Sequence, residues 1–287
     1  MIAVLKHEMK NHFHSLTAYV FGAFLLVFVG IGSMIYNIQG AMANFEYALA
    51  SISLVFVLII PILTMRTIAE EKKQKTDQLL YSLPITTTQV VLGKFLSLIV
   101  VFAIPMCIIA LYPLIFAGYG EVYLPTSYGA LFAFFVLGAV FISIGIFISS
   151  LTENQGFAAG IAVPVLLFDY YSVTLSEHVS STAMGSLAVI CVLAVLAGIV
   201  INHLTKNYWL AYGVGAVGIM GSVILYRLDS AKFENLLPEI MKKMSLYERF
   251  YSFVNGVFDM TAIVYYGTVI IFFLFLSVQS LEKRRYN

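Results

Sequence analysis

The chain has 287 residues, of which 61% are hydrophobic and 11% charged, with a formal net charge of +1. Soluble domains carry roughly 25% charged residues, so this composition, with a mean hydropathy of +0.93, excludes a soluble globular protein and indicates an all-α, polytopic membrane protein. The near-neutral balance, without a basic tract, gives no support to nucleic-acid binding.

In residues 1–15, Ile2, Leu5, Met9 and Phe13, continued by Leu16, recur at helical spacing, with Lys6, His7, Lys10, Asn11 and His14 on the opposite face. The pattern predicts an amphipathic helix lying in the inner membrane interface. His7 and His14 share a face two turns apart, but no Cys or carboxylate set accompanies them, so they read as a polar face rather than a metal site. Residues 16–36 are the first predicted span. It is longer than the roughly 7–15-residue apolar core of a secretory signal, so Ala41-Met42-Ala43 only imitates a cleavage site and the span is read as a retained anchor. Residues 47–65 are the second span.

Residues 66–89, RTIAEEKKQKTDQLLYSLPITTTQ, organise the rest. Their centre, 70–78, is nine polar residues in succession. A helix resting on a membrane would carry an apolar stripe there, so the pattern predicts a short helix, 67–83, standing in water or docked on a soluble partner. Thr67 and Glu70 fit a capping box. Pro84 stops the helix, lacking an N–H and disfavouring helical geometry before it. Thr86 and Gln89 form a second capping box that opens the next membrane helix.

Residues 95–118 are the third span, with Pro105 and Pro113 as expected kinks. A short outer loop, 121–126, leads to the fourth span, 127–151. Thr152 to Gln155 reads as a capping box opening the fifth, 156–175, which Pro164 interrupts. Residues 184–201 and 207–226 are the sixth and seventh; their glycines also allow a re-entrant pair, which would leave six spans. In 229–257 a stripe of apolar residues predicts amphipathic helices on the outer surface, broken near Pro238 and Ser245, with Ser245 and Glu248 as a capping box and Gly256 at a helix C-terminus. The eighth span is 260–280, before a basic tail. The whole is expected to form one transmembrane domain, with Cys107 and Cys191 as small buried hydrophobes.

With the N-terminus inside, eleven of the sixteen Lys and Arg fall on the inner side, among them Lys72, Lys73, Lys75 and the basic tail. That bias places both termini and the polar stretch in the cytoplasm. Apart from Asp169, the apolar runs hold no Asp, Glu, Lys or Arg, which argues against an ion-coupled secondary transporter. No HExxH, GxSxG or GxxxxGK[ST] motif is present, so no hydrolytic centre or phosphate loop is expected. The chain is therefore read as no enzyme, and ATP-derived energy would have to come from another subunit. Asp169 and Tyr170 are candidates for a substrate path, although the neighbouring aromatics also suit an outer-interface belt.

The pattern Arg66-x3-Glu70-Glu71-x4-Thr76-x3-Leu80-x3-Pro84, with Gly93-Lys94 opening the next span, resembles the membrane subunit of ABC-2 type transporters. The stretch SLYERFYSFVNGVFDMTAIVYYGT and the ending LEKRRYN are similar to the gliding-motility branch of that family. The resemblance implies a bacterial inner-membrane permease subunit of an ATP-driven exporter, in which the polar helix is the coupling helix. Its contacts to an ABC ATPase subunit would be Glu70, Glu71, Lys72, Lys73, Thr76, Asp77 and Leu80. ATP and Mg would be bound by that ATPase, and a second permease subunit and membrane lipid would complete the surroundings. An ATP-driven motility or envelope machine without translocation is the alternative reading.

Overall fold

The computed structural model describes residues 1–76, 85–205 and 208–286. Among the described residues the chain is helical, with no strand. It divides into two compact units, one of Met1–Tyr170 with Arg249–Asn287 and the other Tyr171–Glu248.

The larger unit begins with α1 (Ile2–His14) and α2 (Leu16–Ser33), the latter extended by a π-helical turn, Met34–Gln39. α3 (Phe45–Ile52), α4 (Val55–Thr64) and the short α5 (Ala69–Gln74) follow. α6 (Thr87–Ile109), α7 (Tyr112–Ala117) and α8 (Leu124–Leu151) come next, and α9 (Gln155–His178) starts in this unit. α13 (Leu246–Val254) ends in it, and α14 (Met260–Tyr286) closes the chain. α8 is the axis: 72% of its apolar window is buried, and α3, α4, α6 and α14 pack around it. The centre is aromatic. Phe56 meets Phe134 at 4.2 Å and Phe102 at 5.7 Å between ring centroids, and all three are fully buried. In lipid, where expulsion of water cannot drive association, such close packing supplies the helix–helix attraction.

Among the described residues five helices are long and apolar enough to cross a membrane: Leu16–Gln39, Thr87–Ala117, Leu124–Leu151, Gln155–His178 and Met260–Arg284. Phe45–Ile52 and Val55–Gln74 would add a sixth, but they meet at a 61° bend. The expected straight second span is therefore broken, and the break precedes Pro61. At Ser53 and Leu54 the ladder tightens to i→i−3 bonds, Ser53 N–H to the Ala50 carbonyl and Val57 N–H to the Leu54 carbonyl, while the Ser53 hydroxyl donates to the same Ala50 oxygen at 2.7 Å. The third span breaks at Ala110–Leu111, with Pro113 in the first turn of α7 and Pro105 carried inside α6. Pro164 does not interrupt α9. Cys107 is exposed on α6 rather than buried, and both cysteines are free thiols.

The smaller unit is built on the hairpin of α10 (Ala183–Thr205) and α11 (Tyr208–Leu228). Gly218 lets the two approach, since a Cβ there would stand 3.0 Å from that of Ala194. A 3-10 turn, Ser230–Phe233, and α12 (Leu236–Met244) pack on this hairpin. The expected break at Pro238 is absent, because Pro238 sits in the first turn of α12, where no N–H is needed. The break falls before it, at Asn235, whose left-handed φ of 57° suits its short polar side chain. The expected break at Ser245 is present, and the Ser245 hydroxyl accepts from the Glu248 N–H at 3.2 Å. The hairpin helices have 23 and 21 residues, and their described apolar stretches are Ala183–Val195 and Ala216–Leu228. The described residues thus give five or six crossing helices together with the α10–α11 pair, in keeping with the expected polytopic bundle of about eight spans or of six with a re-entrant pair.

Candidate coupling site

α5 has six residues, too few for an isolated helix to persist in water. Its hold is tertiary. The Ser149 hydroxyl, near the end of α8, accepts from the N–H groups of Ile68 (3.2 Å) and Ala69 (3.1 Å) and donates to the Met65 carbonyl at 3.1 Å. Ser149 therefore caps α5 from a distant part of the chain. The expected Thr67 cap is not formed: α5 starts at Ala69 without a local side-chain cap, and the buried Thr67 hydroxyl has no hydrogen-bond partner. Gly145, one turn before Ser149, makes the approach possible, because a Cβ there would lie 2.2 Å from Thr64 Oγ1.

Lys72 fixes the other side. It is buried, and its ammonium donates to the Ser150 carbonyl. That carbonyl is one of the unpaired acceptors at the end of α8, where positive charge is favoured. The Ser280 hydroxyl of α14 donates to the same oxygen at 2.9 Å. Nearby, Arg284 pairs with Glu153 at 2.5 Å, and that hydrogen bond holds the Glu153 carboxyl below its usual range. The turn after α8 is capped by Asn154 rather than by a Thr152–Gln155 box: Asn154 Oδ1 accepts from the N–H groups of Gly156 and Phe157.

The third support is Lys94. The Thr86–Gln89 capping box forms as expected, and the helix it opens runs through Lys94, which is therefore a buried cation inside α6. Its Nζ stands 2.7 Å from Glu8 of α1 and 2.6 Å from Glu71 of α5, with the Lys94 side chain 1% exposed. Gly93 brings α1 into reach, since a Cβ there would lie 2.9 Å from Val4 Cγ1, and Glu8 is one turn beyond Val4. The inward face of α1 is thus Val4 and Glu8, while Ile2 is exposed. One turn further, the buried Nε2 of His12 has no partner. Burial pushes its imidazole pKa down, against Glu8, which raises it; Lys94 lowers it further.

Between α1 and residues 66–76 lies a cavity of about 720 Å3 lined by His7, Glu8, His12, Arg66, Glu70 and Glu71, among others. His7 contacts Asn11 and His14 contacts the Lys10 carbonyl, so the two histidines are engaged within α1. Among the described residues no group of three or more His, Cys, Asp or Glu is placed to hold a metal.

The polar stretch is therefore two-sided. Glu71 and Lys72 turn inward, against the expectation that the whole stretch stands in water or docks on a soluble partner, with these two among its contacts. Thr76 donates to the Glu71 carbonyl at 3.3 Å. Lys73, Gln74 and Lys75 are exposed, and Glu70 is half-exposed, accepting from Gln74 at 3.2 Å. Asp77, Leu80 and Pro84 lie outside the described residues. Asp169 and Tyr170 are half-buried in α9. Asp169 lies near Tyr265 and Tyr266 of α14, and Arg249 sits 4.0 Å from the Tyr265 ring centroid. That cluster shares no residue with the α5 site.

Sequence reasoning missed Glu8, Ser149 and Ser150, and it named Lys94 at the opening of a span without its buried pairing. A signal existed for two of them. Glu8 is the single acid in residues 1–45, and Lys94 is the single charged residue in a long apolar helix. Nothing local marks Ser149 or Ser150.

A search of the curated proteins finds no match to the chain. Residues 18–177, more than half of the chain, match the family model described as ABC-2 family transporter protein. That stretch holds α2 through α9 almost whole, including α5 and its seat on α8. The chain is a multi-pass membrane protein that belongs to the ABC-2 transporter family.

Proposed function

We propose that the chain is the permease subunit of a bacterial ATP-driven exporter and that α5 is its coupling helix. The observation that carries this reading is the construction of α5. One side is locked by Ser149, Lys72 and Glu71 into α8 and α6, while Glu70, Lys73 and Gln74 face outward. A helix so anchored is stiff enough to receive a push and pass it to the most buried helix of the bundle. The outward residues would meet a groove on an ABC ATPase subunit, and Asp77 and Leu80 would extend the same surface. ATP and Mg would reside in that ATPase, since this sequence lacks a phosphate loop. Both termini and α5 would lie in the cytoplasm, as the Lys and Arg distribution supports. A second permease subunit would form the other wall of the path. The likeness of the C-terminal stretch to the gliding-motility branch leaves the cargo open.

The reading is tested by co-purification. The chain, purified from its own membranes, should retain a phosphate-loop ATPase, and the chain stripped of it should hydrolyse no ATP. Lys73→Glu with Gln74→Glu should reduce ATPase retention at matched membrane levels. Retention equal to that of the unsubstituted chain would remove α5 from the interface and the reading with it.

A further inference from the structure

Lys94 is in contact with two elements that otherwise stand apart. α1 packs on α2 and α6, α5 sits on the end of α8, and the cavity of about 720 Å3 opens between them. Two of its lining residues, Glu8 of α1 and Glu71 of α5, are held by the single Lys94 ammonium at 2.7 and 2.6 Å. A lysine ammonium has three donors and can serve two carboxylates that approach from different sides. A buried ionisable group within a spanning helix is costly and is a functional candidate by default. An apolar residue would pack α6 at lower cost, so a cation here needs a reason, and the two carboxylates supply it.

We propose that Lys94 is a positioning residue that ties α1 to α5, making α1 a moving part of the coupling apparatus rather than a passive membrane anchor. The proposal rests on the reading of α5 as the coupling helix. When α5 is displaced, Glu71 draws on Lys94 and Lys94 draws on Glu8, so α1, α5 and the start of α6 shift as one body. Without the ammonium, two carboxylates face each other across the cavity and α1 is released from the motion.

The test uses the complex of the full chain with its ATPase, in lipid. Spin labels at exposed positions Lys10 on α1 and Arg66 before α5 report the distance across the cavity with and without a non-hydrolysable ATP analogue. The unsubstituted chain should give one narrow distribution in both states. Lys94→Met should broaden it and make it nucleotide-dependent. The ATPase kcat of the complex should change by about 2- to 30-fold, the range for substitutions along a coupling route, with KM for ATP unchanged. Lys94→Arg, which keeps the charge, should retain the narrow distribution and the kcat. If Lys94→Met does not accumulate, the same measurements on Lys94→Met with Glu8→Gln and Glu71→Gln, which removes the carboxylate charges together with the ammonium, decide the matter. An unchanged distribution, or a broadened one with an unchanged kcat, overturns the proposal. Failure of the coupling reading shows separately: no ATPase would be retained, yet the isolated chain would still show the broadening.

Discussion

The two ends of α8 each hold a buried charge, and they hold it differently. At the start of the helix, Ser127 donates to Glu46 at 2.9 Å, and Asn44 donates to the other Glu46 oxygen at 2.6 Å. Both donors are neutral; Asn44 is local to Glu46, and Ser127 reaches it from α8, 81 positions away. At the other end, Lys94 is held between two carboxylates from separate helices, and Lys72 is held by a helix-terminal carbonyl that it shares with Ser280. The first arrangement satisfies one group. The second joins α1, α5, α6, α8 and α14 through directional contacts that a displacement of any one helix would strain. Polar contacts of the second kind, rather than the aromatic centre, are what a transmitted force would act on.

The contrast fixes the order of mutational effects. Lys94→Met removes the cation from buried Glu8 and half-buried Glu71, and breaking a buried pair costs up to about 3–5 kcal/mol; thermal unfolding of the purified chain should show this as the largest loss. Ser149→Ala orphans the N–H groups of Ile68 and Ala69, each a buried donor, for about 1–3 kcal/mol. Its unfolding shift should be smaller, while hydrogen exchange at Ile68 and Ala69 should accelerate. Glu46→Gln is the mildest. An amide can accept from Asn44 and donate to the Ser127 hydroxyl, so both contacts survive and the change should stay within about 1 kcal/mol. A Glu46→Gln loss as large as that of Lys94→Met would show that the two ends do not differ as described.

What was legible in the sequence follows the range of each interaction. The Thr86–Gln89 box closes within one turn and was readable as such. So were α1, the start of α13 at Ser245, and Gly256, whose φ of +80° only glycine adopts without strain. The Thr67–Glu70 box satisfied the same pattern and did not form: the Glu70 N–H donates to the Arg66 carbonyl and the Thr67 N–H to the Thr64 carbonyl, while Ser149, 81 positions from Ile68, takes the N–H groups of Ile68 and Ala69. Lys94 and Glu8 are 86 residues apart, and no local pattern pairs them. Starting the third span at the apolar run hid Lys94, although the cap read at Thr86 already implied a helix passing through it. Prolines misled in both directions. Pro164 lies inside an unbroken helix, and the bend of the second span arises where Ser53 competes for a backbone carbonyl.

The central claim is that the outward face of α5 meets an ATPase. A photo-crosslinking amino acid at Lys73, compared with the same group at exposed Lys232 in the smaller unit, tests it directly in intact membranes. The account predicts an adduct between the chain and a phosphate-loop ATPase from position 73 and none from position 232. An ATPase adduct from position 232 alone, or no ATPase adduct from position 73 in a membrane where the ATPase co-purifies with the chain, would contradict it.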